Sequence, residues 1–335
     1  MKTVVPLSNC EHYEPLADAG VDEFYCGVIP YEWLRTYGVS IPINRREFLN
    51  NSNICTMSSM KIIARKVQKY KIPVKITFNS LAYNSVQYRM LENIIVRLMD
   101  IGFNTFIIAD IGLIIYLREK GIDCRIHISG EAPAVNREAI SFFNQFGVSR
   151  YVFPRKTSIK EMKSCINSVS GKGIEFESFI LNENCVYVGA FCNTLHCDEM
   201  VSACFIPTMI RKIDEDSRKF DAAYRFISMI NYQSNIQKRS NEPSNPDNYK
   251  LGDHGCGICH IKALMDIGIT HLKIVGRGRN LETLIKDVTS VTSAVQLAGV
   301  QENKHLFISN IKDQYFSNKC PKAASFCYYP EDNNC

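Results

Sequence analysis

The chain has 335 residues, of which 46% are hydrophobic and 22% charged, enough for one large barrel or two ordinary domains and too apolar for a disordered protein. The formal net charge of +5, with no dense Lys/Arg block, permits a nucleic-acid partner but does not single one out. No apolar run approaches the roughly 20 residues that span a bilayer, and the start, Met1 to Pro6, has no secretory apolar stretch. The expectation is therefore a cytoplasmic protein without membrane contact.

In chain order, short β-branched runs predict eight strands: 4–7, 23–28, 74–78, 105–109, 124–128, 151–153, 174–180 and 271–275. Apolar spacing between them predicts helices over 60–70, 86–101, 111–120, 137–146, 159–168, 259–267 and 281–297. Several of these helices run into glycine, at Gly102, Gly121, Gly147 and Gly268, where a left-handed residue ends a helix cheaply. A repeating helix–Gly–strand unit argues for parallel βα units, and eight of them close into an α/β, TIM-like (β/α)8 barrel. An open doubly wound sheet is the alternative, but no Gly-rich dinucleotide fingerprint follows an early strand.

The barrel domain is expected over 1–302. Residues 208–250 form a polar insertion that begins helical near Phe220 and ends in a Ser/Asn/Pro loop. From about Asn303 to Cys335 little helix or strand pattern is visible, and three cysteines suggest a Cys-rich extension wrapping back on the barrel.

Fourteen cysteines in a chain of this kind point to a soft metal or a cluster rather than disulfides. Isolated Cys124 and Cys165, with Cys26 and Cys55, read as small buried hydrophobes. Cys185, Cys192, Cys197 and Cys204 follow the seventh strand, and Cys256-Gly257-Ile258-Cys259 precedes the eighth. Barrel chemistry sits at the C-terminal ends of strands, so the two groups meet only if the segment before Cys256 crosses that face. Thiolates suit zinc and iron–sulfur clusters alike. Only 256–259 has the tight zinc-knuckle spacing, and the wider intervals favour a [4Fe–4S] cluster over zinc.

Two blocks resemble the peptidase U32 family. Glu177-Ser178-Phe179 with Cys185 and then Cys192 is similar to the family signature. Lys273-Ile274-Val275-Gly276-Arg277 resembles its Lys-Ile-Glu-Gly-Arg element, with Val275 in place of the Glu, and Cys256 precedes that Lys at the family spacing. Ala19 to Gly27, Phe78-Asn79, Val135-Asn136 and Pro154-Arg155 fit further family elements. The family is named for collagenase-like peptidases. The resemblance also implies four-cysteine [4Fe–4S] proteins of oxygen-independent hydroxylation, acting on ubiquinone precursors, tRNA or ribosomal RNA, with prephenate as oxygen donor. By position Cys185, Cys192 and Cys256 match cluster ligands. The long family insert is short here, so Cys204 is taken as the fourth ligand, with Cys197, Cys259, Cys320 and Cys327 as secondary candidates.

Beside the cysteines, Lys273, Arg277 and Arg279 follow the last strand, where barrel enzymes bind phosphate or carboxylate; a carboxylate such as prephenate suits an Arg fork. Arg155 is a further anion contact just past strand six. His127, at the fifth strand, is a candidate acid or base, and Glu177 and His196 flank the cysteines. Asn44-Arg45-Arg46-Glu47 follows strand two, where a substrate contact competes with the commoner fates of helix capping and solvent exposure. The catalytic candidates are thus His127, Glu177 and Arg155. The expected function is a cluster-dependent hydroxylase acting on a small molecule, RNA or peptide. The alternatives are a U32-type peptidase, which has no Ser/His/Asp or His-Glu-x-x-His motif to support it, and a non-catalytic partner of a second U32-like subunit.

Overall fold

A computed structural model describes residues 1–38, 41–45, 52–54, 56–169, 171, 173–183, 185, 189–192, 249–317, 320 and 326–330. The strands are β1 (Lys2–Pro6), β2 (Glu23–Val28), β3 (Asn53–Ile54), β4 (Val74–Phe78), β5 (Thr105–Ile108), β6 (Arg125–Ile128), β7 (Arg150–Val152), β8 (Glu175–Leu181) and β9 (His271–Ile274). Neighbours run in the order β1-β9-β8-β7-β6-β5-β4-β2, and β1 also pairs with β2, closing a parallel barrel of eight strands. The two-residue β3 attaches outside this ring, at Gly27 and Val28 of β2. All eight expected barrel strands are present, with ends within a residue or two of those read from the sequence. Their signal is strong because each is bounded by turn residues and buried on both faces.

The helices are α1 (Tyr13–Asp18), α2 (Tyr31–Tyr37), α3 (Met57–Tyr70), α4 (Ser85–Asp100), α5 (Ile111–Glu119), α6 (Arg137–Asn144), α7 (Ile159–Ser168), α8 (Ile261–Asp266), α9 (Leu281–Val300) and α10 (Lys304–Phe316). α4 shows how local sequence sets one unit. Asn84 and Gln87 form a capping box at its start, and Leu91, Ile94, Ile95 and Leu98 form its buried stripe. Gly102, at φ 106°, then turns the chain toward β5.

Two features depart from expectation. The stretch after Asn303 is not irregular: α10 occupies its first part. It buries only Phe307 and Ile311, four residues apart, so its polar remainder hides the periodicity. α1 and α2 escape the sequence pattern for a related reason, since helices of 6 and 7 residues span too few turns to show one. Residues 326–330 lie against the barrel: Cys256 N–H donates to Phe326 O and Tyr328 N–H to Cys256 O, each at 2.9 Å. The hydroxyl of Tyr329 donates to Phe179 O at 2.6 Å, and that of Tyr328 to Asn182 O. Nearly all of the expected 208–250 insertion, with its helix near Phe220, lies outside the described residues. Among the described residues no helix is long and apolar enough to cross a membrane.

Outward strand residues such as Phe24, Ile76, Phe106, Ile126 and Leu272 pack with the helices into one apolar core. The lumen is different. Val4, Tyr25 and Ile107 form a small separate apolar cluster, and below them lies a charged network. Arg150 donates to both oxygens of Glu23 at 2.9 Å, to Glu175 Oε2 at 2.8 and 3.0 Å and to Glu177 Oε2 at 3.0 Å. His271 Nε2 lies 2.8 Å from Arg150 Nη2 and 3.2 Å from Glu23 Oε1. One guanidinium thus ties β7 to β2, β8 and β9. Barrel interiors are more often filled by branched apolar side chains. A buried charge is tolerable only when its partners satisfy it, as they do here.

Candidate active site at the barrel mouth

The C-terminal ends of the strands surround a cavity of about 520 Å³, part of it open to solvent. Its polar wall comes from residues at or just beyond strand ends: Asn79 after β4, Ser129 and Glu131 after β6, Arg155 after β7, Glu183 after β8 and Arg277 after β9, joined by Arg45. Lys273 and Tyr25 form part of the floor.

Four cations line this space. Arg155 donates to Glu131 Oε1 at 2.8 Å and lies over the Phe179 ring, 4.2 Å from its centroid. Gly130 permits this stack, because a Cβ there would come within 2.9 Å of Phe179. Arg45 stands 3.6 Å from the other Glu131 oxygen. Arg45 and Arg155 are only 7% and 9% exposed, yet the Nε of each has no hydrogen-bond partner among the described residues. A buried guanidinium N–H without a hydrogen bond is costly, and the cations of the lining together give the cavity a positive field suited to an anion. Arg277 donates to Asn53 Oδ1 at 3.1 Å and Thr77 Oγ1 at 3.4 Å. Gly27 makes room for that arrangement, since a Cβ there would lie 1.8 Å from Asn53 Oδ1.

Lys273 donates to Glu177 Oε1 at 2.8 Å and sits 3.8 Å from the Tyr25 ring centroid. Burial lowers the Lys273 pKa from its ordinary value; Glu177 opposes that shift, and Arg150 and Arg277 add to it. Burial would raise the Glu177 pKa, but Lys273 and Arg150 outweigh it and hold the carboxyl below its usual range. The Lys273 shift thus follows chiefly from burial, and the Glu177 shift from the cations around it.

Of the residues singled out from the sequence, Arg155, Lys273 and Arg277 meet in this cavity. Arg279 does not line it; its guanidinium lies 5.9 Å from the Tyr249 ring centroid. Glu177 lies beneath the floor with both oxygens engaged, one by Arg150 and one by Lys273, so in this geometry it fixes Lys273. His127 is in the lumen outside the cavity lining. Burial, then Arg150 and Lys75, push its pKa well below the ordinary value, leaving it neutral. The sequence offers Arg45 within the Asn44–Glu47 loop block as one candidate substrate contact, and Glu131 only as a neighbour of His127. The signal that finds Glu131 is its place directly after a barrel strand.

The cysteine segments reach the same rim. The stretch before Cys256 does cross it: Asn182 N–H donates to Gly255 O and Gly257 N–H to Ile180 O, each at 2.8 Å. Cys256 bridges Leu181 on one side and Cys327 on the other. Cys185 lies within Coulombic reach of Arg155 and Lys156. Cys192 ends a turn whose carbonyls accept from Arg45. Cys185, Cys192, Cys256, Cys259, Cys320 and Cys327 are among the described residues, while Cys197, Cys204 and His196 lie outside them. Among the described residues no three His, Cys, Asp or Glu side chains are grouped to hold a metal ion. The donors at this rim are thiols, which in chemistry fit an iron–sulfur cluster or zinc.

Among known proteins, the family described as "Peptidase family U32" matches residues 8–334 of this chain. The chain is 29% identical over 189 residues to tRNA hydroxylation protein P1 of Bacillus subtilis, which is 56% of this chain and 40% of that protein. It is 31% identical over 94 residues to tRNA hydroxylation protein P of Escherichia coli, covering 28% of this chain and 20% of the relative. The chain thus spans well under half the length of these curated relatives. The solved U32 peptidase Mk0906 aligns with a TM-score of 0.47 at 12% identity, over 82% of this chain and 93% of that one.

Proposed function

The chain belongs to peptidase family U32, and from that premise we propose that it is a hydroxylase-type enzyme acting on RNA, with a small carboxylic acid such as prephenate bound in the barrel mouth. The observation that carries the reading is the pair of buried guanidinium groups, Arg45 and Arg155, that line the cavity, the Nε of each without a hydrogen bond among the described residues. Lys273 and Arg277 supply further positive charge on the same cavity. Guanidinium forks recognise carboxylates in plane and at defined distances. The relatives' names, which specify tRNA hydroxylation, support an RNA substrate.

Cys185, Cys192 and Cys256 would hold a [4Fe–4S] cluster, with Cys327 beside Cys256 and Cys204 as candidates for the fourth position. Such a cluster supplies one-electron redox chemistry when bound. The chain's own residues do the rest. Arg155 and Arg45 orient the acid, Phe179 walls it from water on one side, and Lys273 is held by Glu177 so that its ammonium stays in the floor.

The test is to delete the encoding sequence from its host and measure hydroxylated nucleosides in total tRNA by mass spectrometry. Their loss is expected, with restoration by the wild-type chain and not by Arg155→Gln. Replacing one charge-assisted contact with a neutral one should weaken prephenate binding by about 10–100-fold in calorimetry. Unchanged nucleosides would remove the RNA hydroxylation reading. Peptide-bond cleavage by the purified chain, lost in one of its Cys, His or Glu variants, would replace it with the peptidase alternative. Iron and acid-labile sulfide in anaerobically purified protein separate a cluster from zinc.

A further inference from the structure

One side chain touches both the anion cavity and the cysteine rim. Arg45 uses one edge of its guanidinium on the turn from Gly189 to Cys192, where Nη2 donates to Cys192 O at 2.6 Å and to Gly189 O at 3.4 Å. The side chain also lines the cavity, and its Nε stands 3.6 Å from Glu131 Oε2 without a hydrogen bond among the described residues. The backbone N–H of Arg45 donates to Asn79 Oδ1 at 3.1 Å, which anchors the residue to the end of β4. The turn has no slack on its far side: a Cβ on Gly189 would fall 1.9 Å from Glu131 Oε2. The turn is closed on itself by Cys192 N–H donating to Gly189 O at 3.2 Å.

We propose that Arg45 is a positioning residue that couples anion binding in the mouth to the placement of the Cys192-bearing turn. The guanidinium is rigid and planar, so its edges cannot move independently. An anion that pairs with the guanidinium fixes its plane, and with it the two carbonyls held by Nη2. The converse holds by reciprocity: an ordered turn presents the guanidinium to the anion. Lysine cannot reproduce this, because an ammonium is a point charge on a flexible stem and has no second edge. The inference rests on the reading that a small carboxylate binds in the mouth, and it adds that this acid organises one of the candidate cluster ligands.

Hydrogen–deuterium exchange of the full chain, read on peptides covering 189–192 with and without saturating prephenate, tests this. Calorimetry on the same samples reports binding. In the wild type, exchange over 189–192 slows about fivefold or more on binding, the low end of common site-to-site coupling. Arg45→Lys still gives a heat of binding but no slowing. Arg155→Gln binds more weakly and retains the slowing at saturation. If Arg45→Lys loses its folded circular dichroism, Arg45→Gln takes its place. Binding without slowing in the wild type overturns the coupling and leaves the co-substrate reading standing. Slowing that persists in the folded Arg45 variant also overturns it. No heat of binding in the wild type at any concentration overturns both.

Discussion

Glu131 offers one carboxylate to two buried guanidinium groups, Arg45 and Arg155. It pairs with both, and it faces any acid that enters the mouth with a like charge. At an effective dielectric constant of about 20, removing a negative charge roughly 8–10 Å from a bound carboxylate favours binding by about 2 kcal/mol. Glu131→Gln is therefore expected to tighten prephenate binding by about thirtyfold in calorimetry. Weaker binding in that variant would mean that Glu131 orients the arginines more than it competes with the ligand. Gly189 and Gly130 keep this arrangement open, since side chains there would collide with Glu131 and Phe179 respectively.

Among the elements, β7 is only three residues long, and its first residue, Arg150, carries contacts to three other strands. Its role in the site is indirect. By holding Glu177, it fixes the carboxylate that fixes Lys273 in the floor. Truncating one member of a buried, hydrogen-bonded charge network leaves the others uncompensated, at a cost of about 3–5 kcal/mol. Arg150→Met is expected to lose that much in urea unfolding. Arg150→Lys should recover only part, because an ammonium cannot span Glu23, Glu175 and Glu177 at once. A loss below about 1 kcal/mol would show that the lumen repacks around the vacancy. At the rim, residues 326–330 play the corresponding part. Tyr329 and Tyr328 bond to carbonyls at both ends of the Phe179–Asn182 segment that leads to Cys185.

The charged lumen also sets how the whole molecule responds to pH. Burial would raise the Glu23 pKa, but hydrogen bonds from His271 and Arg150 outweigh it and hold it below the usual range, as Lys273 and Arg150 do for Glu177. A carboxylate with a depressed folded pKa contributes stability that is present above its unfolded pKa and is lost as pH falls through the folded one. His127, depressed by burial, acts in the same direction, its contribution fading as pH drops below about 6.5. Asp287 opposes them: burial raises its pKa to about 6, against hydrogen bonds from Tyr249 and Asn182, so its contribution is lost as pH rises through that value. With two carboxylates and a histidine against one, unfolding free energy should fall on acidification, most steeply below about pH 4. Urea titrations at pH 7, 5.5, 4 and 3 measure this, and a flat profile would contradict these pKa directions. The sequence by itself determined the eight strands, the parallel barrel, and three mouth cations, Arg155, Lys273 and Arg277, because these depend on local runs and on positions just after strand ends. Only the tertiary structure decided which face of each strand meets the lumen, since alternation marks two faces without saying which one closure will bury; Glu23, Arg150 and His271 became a network that way. It likewise decided that Arg45 and Glu131 meet across the mouth and that Cys327 lies beside Cys256. Those contacts join loops and the tail, segments whose place is set by what they pack against rather than by any periodicity of their own.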